Sequence, residues 1–376
     1  MKKTSKIIIG IIVLAVVFWG GVKLLGTKDE KTKEPIKIGA ILPLTGPASF
    51  VGEGMSYAIQ IAAEEINRQG GIGGREIQLI LENSMSEGKT AVSAIQKLIN
   101  VDKIDLLIGG STYEMMAISP IAEQNKIPII TPCSSKPMVT ENNNYVFRLM
   151  ASDSIQANWA ANVSYNFLKK KKVAVIYTND EWGVGFLNEF KNKFTSLGGA
   201  IVQEESFNKG DRDLKIQLIK IKNINPEMVL FLGVEAETIL GFKQMKELNI
   251  NMPVLGGASW SNLTIWKELK EIGDGSLYVK ARPISNDEFN KKYESKSGSS
   301  QVPVCALEAY DTLYVFKEAI VNSDTFDKEK IMNELYKVKI KGVSGDINFN
   351  STGDRFPIQM SLFKVENSKS EEILTQ

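Results

Sequence analysis

Ile36–Leu42 reads IKIGAIL, and the residues beyond its loop place Val51, Met55, Ala58, Ile59, Ala62 and Ile66 on one helical face. A short β-branched run followed by a 3.6-residue apolar period is one βα unit. The pattern recurs, with strands predicted near 77–81, 105–108, 127–130, 173–177, 201–205, 228–232 and 254–255, separated by helix-length segments. Such alternation implies an α/β fold with parallel sheets covered by helices on both faces.

The first four strands and the second four are parted by an irregular passage over 133–154 that contains a short strand-like YVFRLM, and the crossing between two lobes is placed there. A further extended piece over 276–283 precedes a long helix through Leu307, Tyr310 and Tyr314, after which GVSGDINFNSTGD reads as a turn-rich hairpin. The expected division is lobe 1 over 36–152 and 283–335, and lobe 2 over 153–282 and 336–376.

Upstream, Lys2, Lys3 and Lys6 precede an uncharged run from Ile7 to Val22, the order of a basic region followed by an apolar one that targets a membrane. Spanning takes roughly 20 apolar residues, and the run reaches that length only if Lys23 snorkels. Residues 1–26 are therefore read as a signal peptide or membrane anchor. A small-x-small cleavage site is poorly represented near Gly20 and Gly21, which favours the uncleaved anchor. The charged, aromatic-free 27–35 reads as a tether.

The first 35 residues hold seven basic and three acidic side chains, while the whole chain of 376 residues carries a formal net charge of +1. The body is thus slightly acidic with scattered basic residues, which argues against nucleic acid as a partner. No histidine is present, which removes Ser-His and Cys-His nucleophile pairs and imidazole metal ligands. No catalytic residue, metal or cofactor is expected. Asp346, Asn348 and Asn350 imitate a calcium loop, but Ser351 and Pro357 stand where it needs glycine and glutamate. Cys133 and Cys305 lie far from any CxxC spacing and read as two free thiols, with their mutual distance left open.

Several strings in order, IGAILPLTGPASFVGEGM, AAEEINRQGGIGGREIQLILEN, IPIITPCSS, VAVIYTNDEWGVGF and ALEAYDTLYVF, resemble the type I periplasmic-binding family of branched-chain amino acid receptors, from about Ile36 to Phe363. The resemblance implies two Rossmann-like lobes joined by a three-crossover hinge and closing over a ligand. It implies an extracytoplasmic solute-binding protein, secreted or tethered by its amino-terminal segment. Such a protein captures a small polar ligand, an amino acid or related amide or acid, for the permease of an ABC importer. The alternative reading is a ligand-sensing ectodomain for a membrane signalling partner.

Ligands of open α/β sheets bind beyond the carboxyl ends of the strands. Ser111 and Thr112 open a helix after a buried strand, where they either cradle a carboxylate or merely cap the helix. Cys133, Ser134 and Ser135 form a second loop, and the resemblance puts Cys133 and Ser135 at the ligand's α-carboxylate and amine. Trp182 matches a position where the family lays an aromatic ring on the ligand. Phe50, Val51, Val234 and Cys305 fall where it lines the pocket. The family's acid in lobe 2, which pairs with the ligand's ammonium, aligns with Ala258. An uncompensated buried ammonium costs several kcal/mol, so Asp153, Glu235 or another acid substitutes, or the ligand lacks that charge.

Overall fold

The computed structural model describes residues 33–376 apart from Asn142, Pro283 and Ser285. The expected signal or anchor over 1–26, and the first part of the expected tether, lie outside the described residues. In the unit Met1–Pro35, Lys33–Pro35 have no regular structure. The unit Ile36–Gln376 holds the two lobes. Among the described residues no helix is long and apolar enough to cross a membrane.

The first lobe begins with β1 (Ile36–Leu42), α1 (Ser49–Arg68), β2 (Ile77–Asn83), α2 (Gly88–Lys97), β3 (Leu106–Gly109), α3 (Thr112–Gln124), β4 (Ile129–Thr131), α4 (Met138–Glu141) and β5 (Val146–Arg148). Its five strands are all parallel, in the order β2-β1-β3-β4-β5. Because side chains alternate across a strand, β1 sends Ile38, Ala40 and Leu42 to one core and Ile41 to the other. The first core packs under α1, through Met55, Ala58, Ile59, Ala62 and Ile66, the face read from the sequence. The second packs under Ala91 and Ile95 of α2 and Met115 and Ile118 of α3.

The second lobe repeats the scheme with α5 (Asp153–Asn162), β6 (Lys172–Thr178), α6 (Glu181–Ser196), β7 (Ala200–Phe207), α7 (Lys215–Ile224), β8 (Met228–Leu232), α8 (Glu235–Glu247), β9 (Val254–Gly256), α9 (Leu263–Leu269) and β10 (Leu277–Ala281). β8, MVLFL, is buried throughout and serves both faces, Val229 and Phe231 on one and Met228, Leu230 and Leu232 on the other. That is why it reads as a continuous apolar run.

After β10 the chain returns through α10 (Asp287–Ser297), α11 (Ala306–Ser323), α12 (Lys328–Leu335), β11 (Lys339–Gly342), β12 (Gly345–Phe349) and β13 (Arg355–Phe356). Phe289 of α10, with Leu313 and Phe316 of α11, joins the α1 side of the first lobe. β14 (Met360–Glu366) and β15 (Lys369–Thr375) then extend the second sheet to the order β15-β14-β10-β9-β8-β6-β7, antiparallel from β10 outward. The chain thus crosses between lobes three times.

One boundary differs from the sequence reading, which assigned 336–376 to lobe 2. Val338, Ile347 and Phe349 pack in the first lobe's core, and the Phe349 ring lies 5.1 Å from that of Phe147 in β5. The antiparallel β11-β12-β13 sheet therefore belongs with lobe 1. Contact with Phe147, and the Arg148–Asp354 pair, decide the placement.

Candidate functional site

Each lobe ends its strands toward the other, and a cleft of about 1130 Å³ lies between them. The first turn of α1 brings Phe50 and Val51, the turn after β3 and the start of α3 bring Ser111 and Tyr113, and the first crossover brings Leu149, Met150 and Ala151. From the second lobe come Thr178, Asp180 and Trp182 beyond β6, Val234 and Glu237 beyond β8, Ala258 beyond β9 and Lys280 at the end of β10. Cys305, Glu308 and Arg355 close the hinge end.

Trp182 is held by local chemistry. Asp180 caps α6, accepting from the Gly183 amide at 2.9 Å, as short polar residues do at a helix start. A side chain at Gly183 would run into the Thr178 carbonyl, so only glycine lets α6 start so close to β6. The indole, half-buried, meets the Phe186 ring edge-on at 6.3 Å and faces the cleft.

Contacts already join the two rims. The Tyr113 hydroxyl donates to Asp180, and Lys136 pairs with Glu181. Gln301 donates to Asn262 at 3.4 Å. Burial, reinforced by the Asp180 carboxylate, pushes the Tyr113 hydroxyl far above the usual phenolic range, so it stays a donor.

Of the residues singled out in the sequence, Phe50, Val51, Ser111, Trp182, Val234, Glu235, Ala258 and Cys305 wall the cleft. Thr112, Cys133, Ser134, Ser135 and Asp153 do not, because their polar groups are spent on one another or sealed away. The Thr112 and Ser134 hydroxyls lie 3.3 Å apart, and the Ser135 amide donates to Thr112 at 3.2 Å. The Ser134 and Cys133 amides share the Thr131 hydroxyl at 3.0 and 3.3 Å. The free-thiol expectation is overturned, since Cys133 and Cys305 form a disulfide with Cα atoms 5.4 Å apart.

Part of the anion cradle expected at the start of α3, the Ser111 amide and hydroxyl, is taken from within. Fully buried Glu114 accepts from the Ser111 amide at 2.8 Å, from the Ser111 hydroxyl and from the Ser84 hydroxyl at 2.6 Å. This is a capping box, in which the carboxylate takes the amide of the N-cap residue.

Asp153, at the start of α5, is completely buried. Neither carboxylate oxygen finds a hydrogen-bond partner among the described residues. Burial raises its pKa to about 7, opposed by nearby Ser135 and the Arg148 charge. In the unfolded chain it ionises near its ordinary 3.8. Between these values the folded protein holds a proton that the unfolded chain has lost, so stability falls as pH rises through that window. Asp153→Asn is expected to flatten the decline, read as melting temperature against pH from about 4 to about 7. Equal slopes in both proteins would show that this carboxyl does not titrate there.

Sequence reading missed Tyr113, Glu237, Lys280, Glu308 and Arg355 as cleft residues. For Lys280 a signal existed, namely a lone charge in the strand Leu277–Ala281, LYVKA.

A sequence model of the periplasmic binding protein family matches residues 35–370. A Leu/Ile/Val-binding protein homolog of Brucella melitensis is 29% identical over 340 residues, 89% of this chain and 92% of that one. The structure of a leucine-binding protein from Thermotoga maritima superposes with a TM-score of 0.82 at 31% identity, over 90% of this chain and 98% of that one. A branched-chain amino acid transporter substrate-binding protein from Streptococcus pneumoniae, in complex with isoleucine, shares the fold at a TM-score of 0.80 and 23% identity, over 90% and 99%.

Proposed function

Because the chain belongs to the periplasmic binding protein family, a family of solute binders and not of enzymes, we propose that it captures a small ligand with an apolar body by closure of its lobes and hands it to an ABC importer. The single observation that carries this is the interlobe cleft. Phe50 and Val51 face it from one side, Trp182, Val234 and Ala258 from the other, and three chain crossings form the hinge behind. An apolar slot with a few polar groups is how small-ligand sites are generally built.

The relatives named for leucine, isoleucine and valine make aliphatic amino acids the first ligands to try, and the apolar walls agree. The basic-then-apolar 1–26 directs the lobes to the outer face of a membrane, anchored or released. Delivery to a permease follows from the relatives' transport role.

The test is a thermal-shift screen of the purified chain against aliphatic amino acids, their amides and their deaminated acids. A ligand at about 100 times its Kd adds about 2.7 kcal/mol to stability, whereas no shift with any of them removes the reading. Trp182→Ala is expected to weaken binding by about 1–3 kcal/mol, as loss of a rim aromatic does, with the melting temperature of the empty protein little changed. Calorimetric titration checks this, and intact affinity with a large loss of stability would make Trp182 a packing residue.

A further inference from the structure

Four consecutive lysines, Lys169–Lys172, lead from the first helical passage of the second lobe into β6. Thr178, at the other end of β6, walls the cleft, so the lysines lie at the pole of the lobe that faces away from it. β7 and β8 flank β6 in parallel, and α6 and α7, which lead into them, end at the same pole.

The backbone of this run is fixed while its ammonium groups are left over. The Lys170 amide donates to the Ser164 carbonyl at 2.8 Å. The Lys171 and Lys172 amides share the Glu227 carboxylate at 2.6 and 3.4 Å. The Lys171 and Lys172 carbonyls accept from the Ala200 amide at 2.8 Å and the Glu227 amide at 2.9 Å, where the neighbouring strands begin. Among the described residues none of the four ammonium groups makes a hydrogen bond or an ion pair. That of Lys171 lies 5.8 Å from the centroid of the Tyr165 ring.

Other lysines of the flanking helices are spent. Lys191 pairs with Glu204 and Lys220 with Glu205, and Lys222 donates to the Leu248 carbonyl at 2.6 Å. Lys193, in the last turn of α6, is a further cation whose ammonium has no partner among the described residues. Glu227 is the carboxylate that the run itself touches, and both of its bonds there go to backbone.

Apolar surface accompanies this charge. Phe167, at the end of the turn before the lysines, is 46% exposed, and Ile224, at the end of α7, is 49% exposed. Exposed singly, such side chains need no explanation. Beside free ammonium groups they complete the composition of a surface that lies on an anionic bilayer, where lysines meet lipid phosphates and apolar tips enter the headgroup boundary. A shaped anionic partner is read by the planar fork of arginine. The run has no arginine, and flexible ammonium groups suit a diffuse layer of headgroups.

We propose that this pole of the second lobe rests on an anionic bilayer surface, Lys169–Lys172 and Lys193 meeting lipid phosphates while Phe167 enters the headgroup layer. Residues 1–26, basic and then apolar, bring the lobes within reach of such a surface. The contact lies away from the cleft and leaves ligand exchange free. It goes beyond the small-ligand reading and does not depend on it.

The experiment is lysine footprinting of the full chain, in which a water-soluble acetylating reagent labels exposed amines and mass spectrometry reads each site. It is run on vesicles of phosphatidylcholine alone and of phosphatidylcholine with phosphatidylglycerol. The amino-terminal segment is present in both arms, so its own insertion does not separate them. Lys169–Lys172 are expected to label at least threefold more slowly on the anionic vesicles than on the neutral ones, and the difference should vanish at about 1 M salt. Lys330, Lys337, Lys339 and Lys341 of the first lobe should label alike on both. Equal labelling of Lys169–Lys172 on the two vesicles overturns the proposal. Equal slowing by soluble polyphosphate would make the run a general polyanion site and overturns the bilayer as its occupant.

Vesicle co-sedimentation adds a second readout. Combining Lys169→Gln, Lys170→Gln, Lys171→Gln and Lys172→Gln should lower the preference for anionic over neutral vesicles at least tenfold, since each lysine near such a surface contributes about fivefold. Phe167→Ser should lower it at least threefold. Combining Lys330→Gln, Lys337→Gln, Lys339→Gln and Lys341→Gln, which removes the same charge elsewhere, should change it by less than about threefold. An equal fall in both fourfold variants would mean that net charge alone acts, which also overturns the proposal.

Discussion

Arg148→Ala is expected to lower the free energy of unfolding by about 3–5 kcal/mol, the loss typical of breaking a buried ion pair from one side. The guanidinium is fully buried at the end of β5, just before the first crossing. Nε and Nη2 donate to the Asp354 carboxylate at 2.8 and 2.5 Å, Nη1 to the Lys136 carbonyl at 2.6 Å, and Nη2 also to the Thr140 hydroxyl at 3.0 Å. The Arg148 amide donates to the Gly353 carbonyl at 2.9 Å. Alanine leaves the Lys136 carbonyl and the Thr140 hydroxyl without this donor and the Asp354 carboxylate without its counter-charge, with only the Thr140 hydroxyl still donating to it at 3.0 Å. Arg148→Lys should recover little, since an ammonium cannot reproduce the planar fork. Urea denaturation measures both. A loss below about 1 kcal/mol for alanine would mean that the network is no stronger than a surface pair.

The same residue shows what could and could not be read in the chain. Alternation in IKIGAIL and the unbroken apolar run MVLFL announce half-shared and fully shared strands because sheet periodicity is local. The helical stripe from Val51 to Ile66 is local too. Which lobe receives the segment from Lys339 to Phe356 is not local. Ile347 and Phe349 show only that it has an apolar face, and the choice of core rests on Phe147 and on Arg148 meeting Asp354, 206 positions away. The cleft's apolar wall, from Phe50 to Trp182 and Val234, was legible through family resemblance. Its polar end was not. Ser111 and Glu114 carry the spacing of a capping box in plain view, yet only the structure shows that Glu114 is buried and spends the amide that a ligand would have used. Glu308 lies within a helix whose sequence reads as ordinary packing, and its exposure to the cleft depends on where α11 meets the second lobe.

Removing the disulfide is the other change with a large expected effect. Cys133 and Cys305 are separated by 172 positions, and closing so long a loop restricts the unfolded chain by about 5 kcal/mol on the loop-entropy estimate. Cys133 follows β4, and Cys305 caps α11 with a φ of 70°, a left-handed conformation that a side chain adopts at some cost. The bond therefore joins the loop between β4 and the first crossing to the helix that carries Glu308. Cys133→Ser with Cys305→Ser is expected to destabilise the protein by about 3–5 kcal/mol, and each single variant by a similar amount, because either one abolishes the same bond. Denaturant midpoints, with and without a reductant on the wild type, measure it. A reduced wild type as stable as the oxidised one would show that packing alone holds the loop to α11. If the loss is found, the fold depends on an oxidising surrounding, where such bonds persist. That dependence fits a protein working outside the cytoplasm, and it rests on no part of the amino-terminal segment.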